Sequence, residues 1–398
     1  MRFTLCGARL VDAVTDVAQG NIQVNGSRIG LVSQTAETDG EMIDATDSII
    51  VPGFIEIHTH GGGGFNLHTT SVEEIRSYAR WVPVAGVTSF LIAVVGTPDA
   101  LPIVQLATAV DAIELAQQEP TGAEPVGIFL EGPYINAKRR GAHPTNWLRT
   151  PNADETERIL QLTHGYLRLV TLAPELLNAE AMIHRLVESG ITVSMGHTDV
   201  DYEQAQSAIQ TGITHLTHCF NAMRQMQHRA PGPIPAVVQS DHVMGELIAD
   251  GIHVHPAMMD MLIRLLGPAR TIAITDAQAG AGLEHAEFEF AGQKTHIADG
   301  AARLEDGTLA GSILTMDHAL RNIMENASVT LSEAVGMLSL NPARAIHLDH
   351  EKSLLKEGYA ADLLVFDKNL RLQATICRGQ LVYAADNRLD HLKRLQGV

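Results

Sequence analysis

Two histidines separated by a single residue, His58 and His60, are the feature of this chain that most directly suggests chemistry. They follow the apolar run 48–57 and precede four consecutive glycines at 61–64. Alternate side chains of a strand lie on the same face, so the two imidazoles would be roughly 7 Å apart and able to bind one metal ion together. A His-x-His pair alone is a weak signal, because histidines also occur on surfaces and in cores.

Further residues of the types that bind metals stand at the ends of later apolar segments. Each has an ordinary structural interpretation when it is taken alone, such as a buried acid, a hydrogen-bonded core histidine or a helix cap. Their recurrence at the end of one apolar segment after another favours a shared functional site. These residues are Glu131, His197, His218, Asp250, His253 and Asp276.

Imidazoles combined with a carboxylate predict a divalent metal site with one or two ions per subunit. Zn²⁺ is the expected ion, and the same ligands suit Fe²⁺, Mn²⁺, Co²⁺ or Ni²⁺. A catalytic ion lowers the pKa of water towards about 7, which predicts hydrolysis. Asp276, directly after the apolar segment 271–275, stands where a general base would act, and His143 or His253 could polarise a carbonyl or bind substrate.

Apolar strand-like runs alternate with helical patterns through the middle of the chain, the pattern of parallel βα units. Helices are expected at 72–84, 99–118, 179–188, 202–209, 256–266 and 316–326. Eight strands predict an α/β fold, a (β/α)₈ TIM-like barrel whose functional groups cluster at the C-terminal ends of the strands. The eight candidate strands are 49–58, 88–95, 126–131, 167–172, 191–197, 214–218, 247–253 and 271–276.

Both ends of the chain contain short strand-like segments with turns between them. They predict a small β-sandwich domain built from both chain ends. The expected organisation is therefore 1–50 and 348–398 in the small domain, with 51–347 forming the metal-dependent barrel.

The composition excludes several classes of function. The 398 residues are 45% hydrophobic and 19% charged, as in an ordinary globular protein, and the formal net charge of −18 argues against a nucleic-acid partner. No apolar run approaches the roughly 20 residues that span a bilayer, and the first residues do not resemble a signal peptide, so no membrane partner and a cytoplasmic location are expected. The three cysteines, Cys6, Cys219 and Cys377, form no disulfide framework, and no Gly-x-Ser-x-Gly motif indicates a serine hydrolase.

The chain resembles the N-acetylglucosamine-6-phosphate deacetylases of the amidohydrolase superfamily from end to end. His-x-His is shared by many amidohydrolases, whereas Glu131-Gly132-Pro133 and His218-x-x-Asn221-Ala222-Met223 are far more specific to this group. The matching segments are 51–61, 130–134, 140–143, 195–198, 217–223, 249–253, 275–277, 306–312 and 341–344.

The resemblance implies a role for each matching residue. Glu131, His197 and His218 would hold the principal metal, and Asp276 would be the general acid/base. Some members bind a second metal through the His-x-His pair; because His58 and His60 are intact, we expect that two ions can bind, with Glu131 bridging. The sugar-phosphate site would be lined by Ala142, His143, Asn221, Ala222, Arg229, Asp250, Gly251, Ile252, His253, Leu309, Ala310 and Gly311, with Arg229 as a phosphate contact.

The chain departs from the group's pattern at four places, and the changes at Ala230 and Pro235 weaken the phosphate contact, and hence the substrate assignment, more than the chemistry. Cys219, Ala230 and Pro235 replace the usual leucine, glutamate and glycine, and the segment 65–68 lacks an acid often found there. Cys219 could be an additional soft donor, but a buried unpaired cysteine usually just packs.

The implied function is hydrolysis of N-acetyl-D-glucosamine 6-phosphate to D-glucosamine 6-phosphate and acetate, in amino-sugar catabolism or cell-wall recycling. His143 would help to stabilise the oxyanion. The alternatives are a related amidohydrolase acting on N-acetylgalactosamine 6-phosphate, another N-acyl amine, a cyclic amide or a deaminase substrate, and a catalytically silent metal-binding protein. A small-molecule amino-sugar phosphate is the expected partner, and the resemblance implies a homodimer or homotetramer.

Overall fold

The computed structural model describes residues 2–35, 40–284, 287–298 and 300–385. Its strands form a sheet from both chain ends, a barrel sheet and two smaller sheets. In chain order the strands are β1 (Arg2–Val11), β2 (Asp16–Asn25), β3 (Arg28–Ser33), β4 (Glu41–Asp44), β5 (Ile49–Pro52), β6 (Phe54–Glu56), β7 (Gly61–Gly62), β8 (Phe65–Asn66), β9 (Val87–Val94), β10 (Glu124–Glu131), β11 (Leu167–Leu172), β12 (Thr192–Met195), β13 (His215–Leu216), β14 (Met244–Ile248), β15 (Thr271–Ile274), β16 (Glu287–Phe290), β17 (Gln293–Ala298), β18 (Ala301–Leu304), β19 (Leu363–Phe366), β20 (Leu372–Cys377) and β21 (Gln380–Ala384).

The helices cover the outside of the barrel sheet and pack on it through buried apolar faces. Side-chain caps begin several of them, as in the helix Tyr202–Thr211, where Asp201 and Gln204 form a reciprocal capping box. Four short 3₁₀ segments, at 82–85, 137–139, 145–147 and 268–270, supplement them. The helices are α1 (Val72–Trp81), α2 (Ile103–Gln118), α3 (Ala153–Leu162), α4 (Ala179–Glu188), α5 (Tyr202–Thr211), α6 (Pro233–Val238), α7 (Pro256–Leu266), α8 (Met316–Asn326), α9 (Leu331–Leu338) and α10 (Leu340–Ala345).

The barrel sheet contains eight parallel strands in the order β6, β9, β10, β11, β12, β13, β14, β15. All eight residues of β9 are buried, as expected of a parallel strand covered on both faces. The two end strands meet at their C-terminal ends, where the Asp276 N–H donates to the His58 carbonyl at 2.8 Å and the His60 N–H donates to the Ala277 carbonyl at 2.8 Å. The predicted (β/α)₈ fold is confirmed, and this closure brings the first and last strand ends of the barrel together.

The chain ends share one sheet, in which β21, β20, β19, β5, β1, β2 and β3 follow one another and β4 pairs with β1. Strand β5 runs parallel to β1 and antiparallel to β19, so it joins the N-terminal and C-terminal segments. The expectation that both ends of the chain build one small β unit is therefore confirmed.

Most barrel strands begin or end within one to three residues of the predicted bounds, and two predictions differ in a way that changes the assignment of residues. The run 49–58 is two strands, because Gly53 separates β5 of the end sheet from β6 of the barrel; a Cβ at Gly53 would lie 2.0 Å from Thr88 Oγ1. The seventh barrel strand begins at Met244 and ends at Ile248, so the segment 250–253 lies in the loop that follows it rather than in the strand.

Several elements were not predicted, among them α3, α6, α9, α10 and a three-stranded antiparallel sheet of β16, β17 and β18. Among the helices of the described residues, none has both the length and the apolar character needed to cross a membrane.

Candidate metal centre and active site

A cavity of about 220 Å³ opens at the C-terminal ends of the barrel strands. Its lining combines predicted residues from the ends of six strands and the loops that follow them with others that were not foreseen. The lining residues are His60, Glu131, Gly141, Ala142, His143, His197, His218, Asn221, Ala222, His253, Asp276, Gln278, Phe290, Thr308, Leu309 and Gly311.

Glu131, the last residue of β10, lies at the centre of the site, and five imidazoles surround its carboxylate. Its Oε1 lies 3.1 Å from His197 Nε2 and 3.4 Å from the Nε2 atoms of His218 and His58. Its Oε2 lies 3.2 Å from His60 Nε2 and 3.4 Å from His143 Nε2. Strand ends far apart in the sequence therefore converge on one carboxylate.

Asp276, two residues after the end of the last barrel strand, completes the centre. Its Oδ1 lies 3.2 Å from His60 Nε2 and 3.6 Å from His58 Nε2. The backbone of Asp276 has a φ of 47°, and His218 and Ala222 in the same cavity wall also have positive φ angles. Backbone of this kind costs roughly 1 to 3 kcal/mol per residue and is concentrated at functional sites.

Two of the imidazoles are held by acceptors behind them. His197 Nδ1 lies 3.0 Å from the Arg139 carbonyl, and His58 Nδ1 lies 2.8 Å from Glu246 Oε2. In the neutral ring, each Nδ1–H donates to the acceptor behind it, and Nε2, which faces Glu131, keeps its lone pair for a cation.

The donor set fits a divalent cation. His197 Nε2 and His218 Nε2 are only 3.0 Å apart, and buried His58 Nε2 has no hydrogen-bond partner among the described residues. Ligands about 2.1 Å from an ion at tetrahedral angles lie about 3.4 Å from one another, close to the observed contacts. Two groups of residues have ligand atoms that all lie within 4.8 Å of one another: His58, His60 and Glu131, and Glu131, His143 and His197.

The pKa shifts of the two carboxylates in the centre also fit a site for a divalent cation. Burial alone would raise the pKa of Glu131, but His58 and the hydrogen bonds from His143, His197 and His218 hold it well below its usual range. Burial alone would also raise the pKa of Asp276, but the interactions with His58 and His60 outweigh the effect of burial and lower the pKa of Asp276. Both carboxylates are thus ionised at neutral pH, as metal ligands and a general base must be.

The remaining predicted residues occupy different places. His253 lines the cavity and its Nδ1 lies 2.6 Å from Asp250 Oδ2, so Asp250 orients this ring from outside the cavity lining. Gly251, Ile252 and Ala310 also lie outside the lining, with Ala310 fully buried. Arg229 lies in an exposed loop and does not line the cavity.

Sequence reasoning missed two groups of residues. Gln278 and Phe290 line the cavity without belonging to a matching segment, and Thr308 lines it from the segment 306–312, where no role was assigned to it. Glu56 and Glu246 are almost fully buried beneath it; Glu56 Oε2 accepts from the Thr275 N–H at 3.1 Å. The sequence feature that could have identified Glu56 and Glu246 is a charged residue inside an otherwise apolar barrel strand.

The model of the "Amidohydrolase family" matches residues 49–383. The chain belongs to the amidohydrolase family. Among curated relatives, this amidohydrolase is 33% identical over 378 residues to an N-acetylglucosamine-6-phosphate deacetylase of Lysinibacillus sphaericus, covering 93% of the chain and 95% of the relative. It is also 33% identical over 334 residues to an N-acetylgalactosamine-6-phosphate deacetylase of Escherichia coli O157:H7, covering 84% and 87%.

Solved structures agree with these relatives. An N-acetyl-D-glucosamine-6-phosphate deacetylase variant from Mycobacterium smegmatis, in complex with N-acetyl-D-glucosamine-6-phosphate, superposes with a TM-score of 0.90 at 30% identity. The match covers 96% of this amidohydrolase and 100% of that chain. The resemblance to the deacetylase group that the motifs indicated is therefore confirmed.

Proposed function

We propose that this amidohydrolase is a metal-dependent deacetylase that hydrolyses the acetamide of N-acetyl-D-glucosamine 6-phosphate to D-glucosamine 6-phosphate and acetate. The observation that carries the proposal is the convergence of Glu131, Asp276 and five imidazoles on one cavity wall. The names of the relatives supply the substrate. A cytoplasmic location and the division at residues 50 and 347 are part of the same proposal.

Two sets of residues would hold the ions. Glu131, His197 and His218 would hold the principal divalent cation, and His58 and His60, together with Glu131, would hold a second one. Zn²⁺ is the ion we expect from the imidazole and carboxylate donors. A bound cation polarises the acetamide carbonyl and lowers the pKa of the attacking water.

The chain's own residues move the protons. The ionised carboxylate of Asp276 takes a proton from the attacking water as the new C–O bond forms, and passes it to the amine nitrogen as the C–N bond breaks. His143 donates a hydrogen bond from Nε2 to the carbonyl oxygen, on which negative charge develops. The acetic acid that forms gives up its proton to the amine or to solvent, so the products are acetate and the amino sugar, and atoms and charge balance.

The rest of the cavity would bind the sugar. Ala142, Asn221, Ala222, His253, Leu309 and Gly311 supply its walls. Asp250, Gly251, Ile252 and Ala310 support those walls from the adjoining loops. Arg229 is proposed as a phosphate contact, and its exposed position suits an arginine that reaches the site of a neighbouring subunit in a homodimer or homotetramer.

An acetate-release assay with the two N-acetylhexosamine epimers, each with and without the 6-phosphate, tests the proposal. We expect the phosphorylated gluco epimer to give the highest kcat/KM. Absence of acetate release from all four compounds by the metal-loaded protein would contradict deacetylation itself.

The galacto epimer is the second candidate substrate, because a relative with 33% identity bears that name. A higher kcat/KM for N-acetylgalactosamine 6-phosphate would favour this alternative. The variant Arg229→Ala tests recognition of the phosphate independently of the epimer. We expect this variant to lose most of the preference for phosphorylated over unphosphorylated sugar. The control Arg264→Ala, on the exposed face of α7, should keep that preference.

A further inference from the structure

We propose that Glu246 is a positioning residue that fixes His58 in its metal-binding form, so that the ion at His58 and His60 depends on it. The inference rests on the metal centre of the proposed function. It concerns a residue that the ligand motifs do not include and that does not line the cavity.

Glu246 lies in the middle of β14 and is completely buried. Its Oε2 accepts two hydrogen bonds, from His58 Nδ1 at 2.8 Å and from the His218 N–H at 3.1 Å. Within the described ranges, no lysine or arginine forms an ion pair with it. A buried carboxylate costs several kcal/mol unless it is well partnered, and its two partners here are both segments that bear metal ligands.

The hydrogen bond from His58 has a direct chemical consequence. Because Nδ1 carries the donated hydrogen, Nε2 keeps its lone pair and faces Glu131 and Asp276 at 3.4 and 3.6 Å. A carboxylate behind an imidazole fixes the ring orientation and raises the basicity of the opposite nitrogen. Loss of this support typically weakens metal binding by about 10- to 100-fold.

His60 differs in this respect from His58. Its buried Nδ1 has no hydrogen-bond partner among the described residues. Of the two histidines in the pair, only His58 is held from behind by a carboxylate, so the pair's orientation depends on one acid. The hydrogen bond that Glu246 accepts from the His218 backbone N–H links this acid to the principal ligand set as well, but it does not orient the His218 ring.

A simpler role for Glu246 would be structural, with the carboxylate merely satisfying two donors in the barrel. The two roles predict different metal contents. A structural role leaves the stoichiometry of folded protein unchanged, whereas the positioning role removes one ion selectively.

The test uses Glu246→Ala and the isosteric Glu246→Gln, with Ser194→Ala as the matched control. Ser194 is equally buried in β12 and hydrogen-bonds Thr217 Oγ1 at 2.6 Å, but contacts no proposed ligand. Each full-length protein is stripped with a chelator, titrated with Co²⁺ and Zn²⁺, and analysed for metal per folded chain and for the visible Co²⁺ spectrum.

We expect the wild type and Ser194→Ala to bind two ions. Glu246→Ala should retain the tighter ion, bind the second about 10- to 100-fold more weakly, and lose the corresponding part of the Co²⁺ spectrum. Glu246→Gln should show a smaller loss of affinity for the second ion. If Glu246→Ala does not fold, the metal content of Glu246→Gln tests the inference. Two ions of unchanged affinity in the variants, or a single ion in the saturated wild type, would overturn the inference. Acetate release by the wild type tests the proposed function separately.

Discussion

At the scale of single residues, the centre combines ionised carboxylates with imidazoles that would otherwise take up protons. Burial alone would lower the pKa of His60, but the hydrogen bonds to Asp276 and Glu131 outweigh it and raise that pKa to about 9. The same acids, together with Glu246, raise the pKa of His58. A divalent ion supplies the positive charge that these protons would provide, and leaves the imidazoles neutral as ligands.

The first prediction concerns Asp276. Replacement by asparagine keeps the shape of the side chain but removes the carboxylate that accepts and returns the proton, so kcat should fall by about 10²- to 10⁴-fold. Steady-state acetate release and metal analysis of the same preparation measure the effect, and metal at the principal site should be retained. Asp260→Asn on α7 is the control and should keep full activity; near-normal turnover by Asp276→Asn would show that another group carries the proton.

The second prediction concerns stability at acid pH. Burial lowers the pKa of His215 from 6.5 to about 4. The unfolded chain therefore binds a proton at this residue below about pH 6.5, whereas the folded protein does so only near pH 4. The free energy of unfolding should decrease as the pH falls through this window, and His215 should account for about 1.4 kcal/mol of the decrease between pH 7.5 and 5.5.

Urea denaturation at both pH values measures this contribution. His215→Gln removes the titrating group, so its loss of stability between the two pH values should be smaller than that of the wild type. His184→Gln is the control, because His184 is 57% exposed in its side chain on α4. Equal pH dependence in the wild type and in His215→Gln would mean that the buried imidazole does not control acid stability.

At the scale of secondary-structure elements, much of the site could be predicted from the sequence. Residues of the types that bind metals stand at the ends of successive parallel strands. A barrel places those ends on one rim, and His58, Glu131, His197, His218 and Asp276 lie together there. Asp250 was assigned to a strand end because the apolar run continues past Ile248, but the strand stops earlier. Periodicity cannot show where hydrogen bonding ends inside an apolar run.

The antiparallel sheet of β16 to β18 could not be predicted from the barrel pattern. Its first strand has two phenylalanines and two glutamates, a composition that is equally consistent with an exposed loop. In the structure Phe290 lies over the centre, with its ring 5.3 Å from that of His60 and 6.0 Å from that of His143. Only tertiary contact reveals this role: Gln293 Nε2 donates to the Ala142 carbonyl at 2.6 Å and holds the sheet against the cavity wall.

The third prediction follows from this position of Phe290. Its ring and Ala142 belong to one apolar cluster beside the reacting centre, so Phe290→Ala should open space next to the acyl group. We expect kcat/KM for the acetamide to fall about 10-fold and the rate with the N-butyryl analogue, relative to acetyl, to rise about 10-fold because two methylenes gain room.

Phe288→Ala is the matched control for this experiment. It removes the same side chain from the same strand, but Phe288 packs near Gly280 rather than on the histidines. An acyl preference that changes equally in both variants would mean that loosening of the sheet, and not the lost ring, is responsible.

At the scale of the whole molecule, the end sheet and the barrel are joined by buried polar contacts. Thr375 Oγ1 in β20 donates to the Pro83 carbonyl at 2.7 Å. Lys352 lies between the two units, and its Nζ is 2.8 Å from both Glu124 Oε2 at the start of β10 and Asp362 Oδ2 just before β19. Burial alone would lower the pKa of Lys352, but these two carboxylates outweigh it and raise that pKa, so the ammonium stays charged.

The last prediction is that Lys352→Met destabilises the protein without changing its chemistry. Methionine fills much of the same volume but leaves two carboxylates without their shared cation, and breaking a buried ion pair costs about 3 to 5 kcal/mol. Urea denaturation should show this loss, while kcat at 25 °C per folded molecule should stay unchanged, because Lys352 does not line the cavity. Lys368→Met is the control: its pair with Asp47 is 69% and 73% exposed, and such pairs contribute at most about 1 kcal/mol. Equal losses of stability in the two variants would indicate that the buried lysine does not join the end sheet to the barrel. A loss of stability confined to Lys352→Met would show that the barrel depends on both ends of the chain.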